Sequence, residues 1–306
     1  MKRSNTQGRE MTLHRNLISA KDLESCLDGP DIRIVDCRFD LVDPLAGRRA
    51  YEQAHIRGAV FADLDRDLAA PISSGTGRHP LPDVVQLSET LGRLGIGNNT
   101  DVIVYDAGPG ALAARAWWLL RWVGHERVRL LDGGLQQWVA DARPIRAGEE
   151  HAAPSTFLPR PNNEMIVTTA ELARDVEGIK ALNLIDARDA ARFRGELEPI
   201  DPVAGHIPGS VNLPYTLSLN EDGLWRSREE LASLWSGVLG GDARTPWIAM
   251  CGSGVTACHL AISAMEAGFR EPRLYVGSWS EWIRNPERPI GLGDALNRAS
   301  QGADLA

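Results

Sequence analysis

Short runs of β-branched and apolar residues, bounded by turn residues, alternate along the chain with apolar positions at helical spacing. The runs at 32–35, 102–105, 128–131, 182–185 and 247–250 read as strands apolar enough to be covered on both faces. Trp117, Leu120 and Val123 share one face of a predicted helix over 111–123, and Leu260, Ala264 and Ala267 share one face of a helix over 256–268. Ser19 with Asp22, and Thr168 with Glu171, are capping-box signatures that open two further short helices. This alternation predicts an α/β fold, with parallel sheets flanked by helices on both faces and the chemistry at the carboxyl ends of the strands.

The pattern occurs twice. Ile34-Val35-Asp36-Cys37-Arg38 returns as Leu184-Ile185-Asp186-Ala187-Arg188, and Ala54-His55-Ile56-Arg57-Gly58 as Gly205-His206-Ile207-Pro208-Gly209. Segment 102–108 is matched by 247–253, and 131–138 by 275–282. Four landmarks in one order, at an offset near 150, identify a duplicated domain. Pro144, Pro154, Pro159 and Pro161 favour extended connecting chain between the copies. The predicted organisation is a tail over 1–16, a first domain over 17–150, a linker over 151–163, a second domain over 164–290 and a tail over 291–306.

Composition narrows the function. With 306 residues, 43% hydrophobic and 24% charged, the chain is of ordinary globular composition and long enough for two domains. A formal charge of -8 supplies no basic face for nucleic acid. No stretch reaches the roughly 20 apolar residues of a membrane span, and the first residues lack the apolar run of a secretory signal. Four Cys, at positions 26, 37, 251 and 258, do not make a disulfide framework in so long a chain, so a reducing, cytoplasmic setting is expected.

The candidate chemistry lies in the second copy, where an apolar strand runs into Cys251-Gly252-Ser253-Gly254-Val255-Thr256 and then into a helix. A thiol at a strand end, followed by glycines that let the backbone curve, can sit in a cradle of amide N–H groups at a helix N-terminus. Such a cradle favours a thiolate over the ordinary thiol of pKa about 8.5. Cys251 is therefore the candidate nucleophile, and Cys26, Cys37 and Cys258 read as small buried apolar residues. A phosphatase loop needs Arg six residues after the Cys, where Ala257 stands; Cys251, Cys258 and His259 lack the second ligand pair of a zinc site. No metal or other cofactor is expected. In the first copy Asp106 takes the place of Cys251, so that copy has no nucleophile.

Taken together, from about 17 to 289, these motifs resemble the tandem-domain rhodanese-like sulfurtransferases, and the Cys251 loop is similar to that of members using 3-mercaptopyruvate. The resemblance implies two rhodanese-like domains, the second catalytic, with the active site facing the cleft between them. It implies that the Cys251 thiolate takes sulfur from 3-mercaptopyruvate, releases pyruvate, and passes the sulfur from a persulfide to a small thiol, thioredoxin or cyanide. The amides of Gly252, Gly254, Val255 and Thr256 would hold the persulfide, and Ser253 would bond the donor's keto oxygen or assist proton transfer.

Arg192 matches the family's carboxylate-binding Arg; Arg188 joins the substrate-site candidates but, following Asp186 at a strand end, reads foremost as a loop-ordering ion pair. The family's second substrate Arg is missing from 196–204, and Arg78, in Gly75-Thr76-Gly77-Arg78-His79-Pro80, is the candidate replacement. A first-domain His is expected beside Ser253. His55 occupies the matching position and is either that group or, like its counterpart His206, a turn residue. Trp279 and Trp282 read as packing residues, with the cleft wall as the other reading. Neutral Gly252 and Ser253 disfavour thiosulfate, whose specialised enzymes carry basic residues there. Thiosulfate transfer and a non-catalytic binding module remain the alternatives, the second set against the intact Cys251 loop.

Overall fold

The computed structural model describes residues 16–27, 29, 31–177 and 183–294; most of the two expected tails, and the first residue of the strand expected over 182–185, lie outside them. In the first half the strands are β1 (Leu17–Ile18), β2 (Ile32–Asp36), β3 (His55–Ile56), β4 (Ala59–Phe61), β5 (Asp101–Tyr105), β6 (Val128–Leu131) and β7 (Ile145–Arg146). The helices are α1 (Ala20–Cys26), α2 (Ala46–Gln53), α3 (Val84–Arg93), α4 (Ala113–Trp122) and α5 (Gly134–Ala140). The second half holds β8 (Ile166–Val167), β9 (Leu184–Asp186), β10 (Val211–Asn212), β11 (Ile248–Met250) and β12 (Arg273–Tyr275), with α6 (Thr169–Glu177), α7 (Ala190–Arg194), α8 (Arg228–Leu239), α9 (Ala257–Glu266) and α10 (Ser278–Trp282).

The two sheets, β1-β6-β5-β2-β4 and β8-β12-β11-β9-β10, follow one path drawn twice, and every pairing within them is parallel. Residues 102–105 of β5 are all buried, as the unbroken apolar run requires of a strand covered on both faces. Ser19 Oγ accepts the Asp22 N–H and Thr168 Oγ1 that of Glu171, which starts α1 and α6 where the capping signatures place them. Helix α9 ends two residues short of the expected 268 because Gly268 turns the chain at φ +84°.

The proline-rich segment after β7 is a strap laid along the first half rather than a free tether. Ser155 N–H donates to Gly92 O, Arg160 N–H to Val123 O and Asn162 N–H to Trp122 O, while Phe157 is buried in the core. Helices α4 and α9 pack against each other between the halves, and one apolar cluster takes in residues of both. Arg121 adds a two-pronged ion pair to Glu271 across that boundary, at 2.9 and 3.0 Å. Trp279 and Trp282 are fully buried, their indole N–H groups donating to Val203 O and Pro289 O, so they pack the core and do not wall the cleft. Among the described residues no helix is long and apolar enough to cross a membrane.

Candidate active site

Strand β11 delivers Cys251 to the cleft at its carboxyl end, 1% exposed. The Gly254 N–H donates to Sγ at 3.2 Å. Gly254 sits at φ +75°, and a Cβ there would lie 2.6 Å from Val276 O, so only glycine lets the loop close on the sulfur. From the other side, Cys251 N–H donates to Ser278 Oγ at 3.2 Å, and that hydroxyl donates to Tyr275 O at 2.9 Å. Ser278 holds a left-handed φ of +50°.

The first half shows what such a loop does with an anion. There the Asp106 carboxylate accepts the N–H groups of Gly108, Gly110, Leu112 and Ala113 at 2.8–3.1 Å. An Asp side chain places oxygen two bonds beyond Cβ, where a cysteine persulfide places its outer sulfur. Asp106 is thus a built-in anion filling its own cradle, and the Cys251 loop, leading likewise into the helix α9, is its counterpart.

Cys251, Gly252, Ser253, Val255 and Thr256 open on a recess of about 120 Å³ that Arg78, His79 and Arg192 also line. Arg192 lies on Glu198 Oε1 through Nε at 3.0 Å and Nη2 at 2.7 Å, and reaches Asp201 at 3.2 Å; Arg78 pairs with the same Asp201. Both guanidiniums lean over Gly252, where a Cβ would stand 3.0 Å from Arg78 Nη2 and 3.6 Å from Arg192 Nη2. The two cations expected from distant segments therefore meet at one place, and Asp201 ties them together.

His79 Nδ1 stands 2.8 Å from Ser253 Oγ, and Asp65 Oδ1 stands 3.3 Å from His79 Nε2. Burial, reinforced by Arg115 and Arg78, pulls the His79 pKa down to about 3, so the imidazole is neutral at neutral pH. A carboxylate at Nε2 favours the tautomer protonated there and leaves Nδ1 to accept from Ser253. The contact to Asp65 is accordingly one between a neutral ring and a carboxylate.

Two of the substrate-site candidates fall outside the recess, each in the structural role that was its other reading. His55 does not line the recess: its Nδ1 bonds Tyr51 O at 2.8 Å and its ring stacks on Tyr51, as His206 bonds Phe193 O at 2.9 Å and stacks on Phe193. Both are turn residues, and the histidine on Ser253 is His79. Nor does Arg188 line the recess. It is held by Asp186 at 2.7 Å and by Gly205 O at 2.8 Å, as Arg38 is held by Asp36 at 2.7 Å and by Ala54 O. Cys258, fully buried with its pKa pushed up to about 12 by that burial, remains a thiol and donates to Gly254 O. Sequence reasoning missed the roles of His79, Asp65, Ser278 and Asp201. The signal for His79 was its place in a first-half loop with no counterpart in the second.

The chain matches the rhodanese-like domain family twice, over residues 19–141 and 168–285. A Pseudomonas aeruginosa protein named probable 3-mercaptopyruvate sulfurtransferase is 48% identical over 91% of this chain and 98% of its own. The human 3-mercaptopyruvate sulfurtransferase is 38% identical over 92% and 97%. The crystal structure of SseA from Escherichia coli, presented as the rhodanese fold of 3-mercaptopyruvate sulfotransferases, superposes with a TM-score of 0.74 at 32% identity, covering 87% of this chain and all of that one. With two rhodanese domains, a single cysteine loop and relatives of this identity along nearly its whole length, the chain belongs to the rhodanese-like domain family and is a sulfurtransferase.

Proposed function

We propose that the chain moves sulfur from 3-mercaptopyruvate to a thiol or cyanide acceptor through a persulfide on Cys251. The observation that carries this reading is the convergence, in one recess, of Cys251, two guanidiniums and a Ser253–His79–Asp65 chain whose imidazole is neutral. Arg78 and Arg192 seat the donor's carboxylate. The Cys251 thiolate attacks the donor's thiol sulfur; the Sγ–S bond forms, the C–S bond breaks, and its electron pair leaves on the enolate of pyruvate. The donor's S–H proton passes through Ser253 to His79 and returns to that enolate carbon, leaving an anionic persulfide in the amide loop. His79, weakly basic in its buried site, does not retain the proton. An acceptor thiolate then attacks the outer sulfur, forms the new S–S bond and frees the Cys251 thiolate.

The proton chain also favours this donor over thiosulfate. Sulfite leaves with its electron pair on sulfur and needs no proton delivered to carbon, whereas an enolate does. The test compares kcat/KM for the two donors in the wild type and in C251S, with the Cys251 peptide weighed after each donor. A gain of one sulfur from mercaptopyruvate and loss of activity in C251S are expected. Dominant thiosulfate turnover overturns the donor, persistent activity in C251S overturns the nucleophile, and no sulfur gain from either donor points to a binding module.

A further inference from the structure

We infer that Arg115 is a positioning residue of this active site: it locks the His79 loop of the first half onto the Cys251 loop of the second and sets a positive charge against the loop that wraps the sulfur that becomes anionic. The inference rests on Cys251 as the nucleophile. Arg115 is the third residue of α4 and is fully buried. Its guanidinium spans four backbone carbonyls, donating to Gly254 O at 3.0 Å, His79 O at 3.2 Å, Pro80 O at 3.4 Å and Leu68 O at 3.5 Å. One side chain thus holds both the loop that carries the imidazole and the loop that wraps the sulfur.

Its charge is the unusual part. Arg38 and Arg188 each lie on their own aspartate, but among the described residues no carboxylate pairs with Arg115. A desolvated, unpaired cation is costly, and an apolar side chain of similar length would avoid that cost. Burial disfavours its charge, and the titratable groups that favour it are the thiols of Cys258 and Cys251. Since Cys258 stays a thiol, the anion available to Arg115 is the one formed at Cys251.

The helix pair supplies a control within the molecule. His259, third residue of α9, reaches the other way across the boundary, with Nε2 3.2 Å from Pro109 O in the first-half loop. Burial holds that imidazole neutral. The neutral brace therefore meets the loop whose Asp106 is already a satisfied anion, and the charged brace meets the loop that must accommodate a transient one. Around Cys251 the other groups are neutral, as His79 and Cys258 are, or are cations matched by carboxylates, as Arg78, Arg192 and Arg188 are.

The test uses R115M and R115K in the full chain, with folding followed by thermal melting. The readouts are the pH profile of iodoacetamide alkylation at the Cys251 peptide and the steady-state constants for mercaptopyruvate. R115M is expected to move the alkylation midpoint up by about one pH unit and to lower kcat about tenfold at neutral pH, with the donor KM little changed. R115K, keeping the charge but not the four-carbonyl span, is expected to hold the midpoint while kcat falls. A folded R115M with an unmoved midpoint overturns the electrostatic role, and R115K with wild-type kcat overturns the bracing role, which stays testable if R115M does not fold. Failure of the wild type to form a persulfide would instead remove the functional reading on which the inference stands.

Discussion

Ser278 adopts φ +50° where the first half has Gly134 at φ +54°, so a backbone that glycine takes freely is imposed on a residue with a side chain only in the half that carries Cys251. The hydroxyl explains the exchange, because it accepts the Cys251 N–H and fixes the base of the loop. S278G should relieve strain of order 1 kcal/mol while deleting that hydrogen bond. Because the two effects are of similar size and opposite sign, its Tm is expected close to wild type, with kcat lowered several-fold. A variant both less stable and fully active would remove this role. Arg78 answers to a different readout, since it touches the donor's seat and not the sulfur. R78A should raise the KM for mercaptopyruvate about tenfold or more, the range set by one charge-assisted hydrogen bond of ~1.5–3 kcal/mol. Steady-state kinetics decide it, and an unchanged KM leaves Arg192 alone as the carboxylate's partner.

The duplicated elements explain how far the sequence could be read. Landmarks that recur, such as Asp36–Arg38 with Asp186–Arg188 and His55 with His206, do the same structural work in both halves, which is why the repeat revealed the two sheets and the catalytic loop. The same repetition misdirects an assignment of function, because a residue built into both copies serves the fold. The groups around Cys251 are instead those that do not recur: His79 and Arg78 on an unpaired loop, Asp201 in the stretch before His206, and Arg115, whose place in the second half is taken by His259. Their convergence depends on how α4 meets α9, a packing between halves that no local periodicity encodes. The contrast is open to measurement. H79Q should lower kcat for mercaptopyruvate roughly a hundredfold, the lower range for a lost acid–base group. H55N, keeping a donor toward Tyr51 O, should leave kcat within about twofold and lower Tm instead. Equal losses of kcat in the two variants would return His55 to the active site.

At the scale of the whole molecule, the buried histidines make stability depend on pH. Burial pulls the pKa of His79 and of His259 down to about 3, and it lowers those of His125 and His206 as well. Below the ordinary value of about 6.5 the unfolded chain binds these protons, while the folded chain refuses them until far lower pH. Stability is therefore intact above pH 6.5 and falls as the pH drops from 6.5 toward 3. Each fully neutral histidine withdraws ~1.4 kcal/mol by pH 5.5, one unit below the unfolded value. Carboxyls raised by burial, at Asp65, Asp132 and Asp201, act with the opposite sign nearer their own range, so the interval from pH 7.5 to 5.5 isolates the histidines. Tm should be flat from pH 7.5 to about 6.5 and then fall on acidification. H259Q replaces a group that must stay neutral with one that does not titrate, and it should flatten that fall by about the share of one histidine. A Tm profile of unchanged slope in H259Q would show that the His259 ring takes up its proton in the folded state, and with it that the neutral brace between the halves is not neutral.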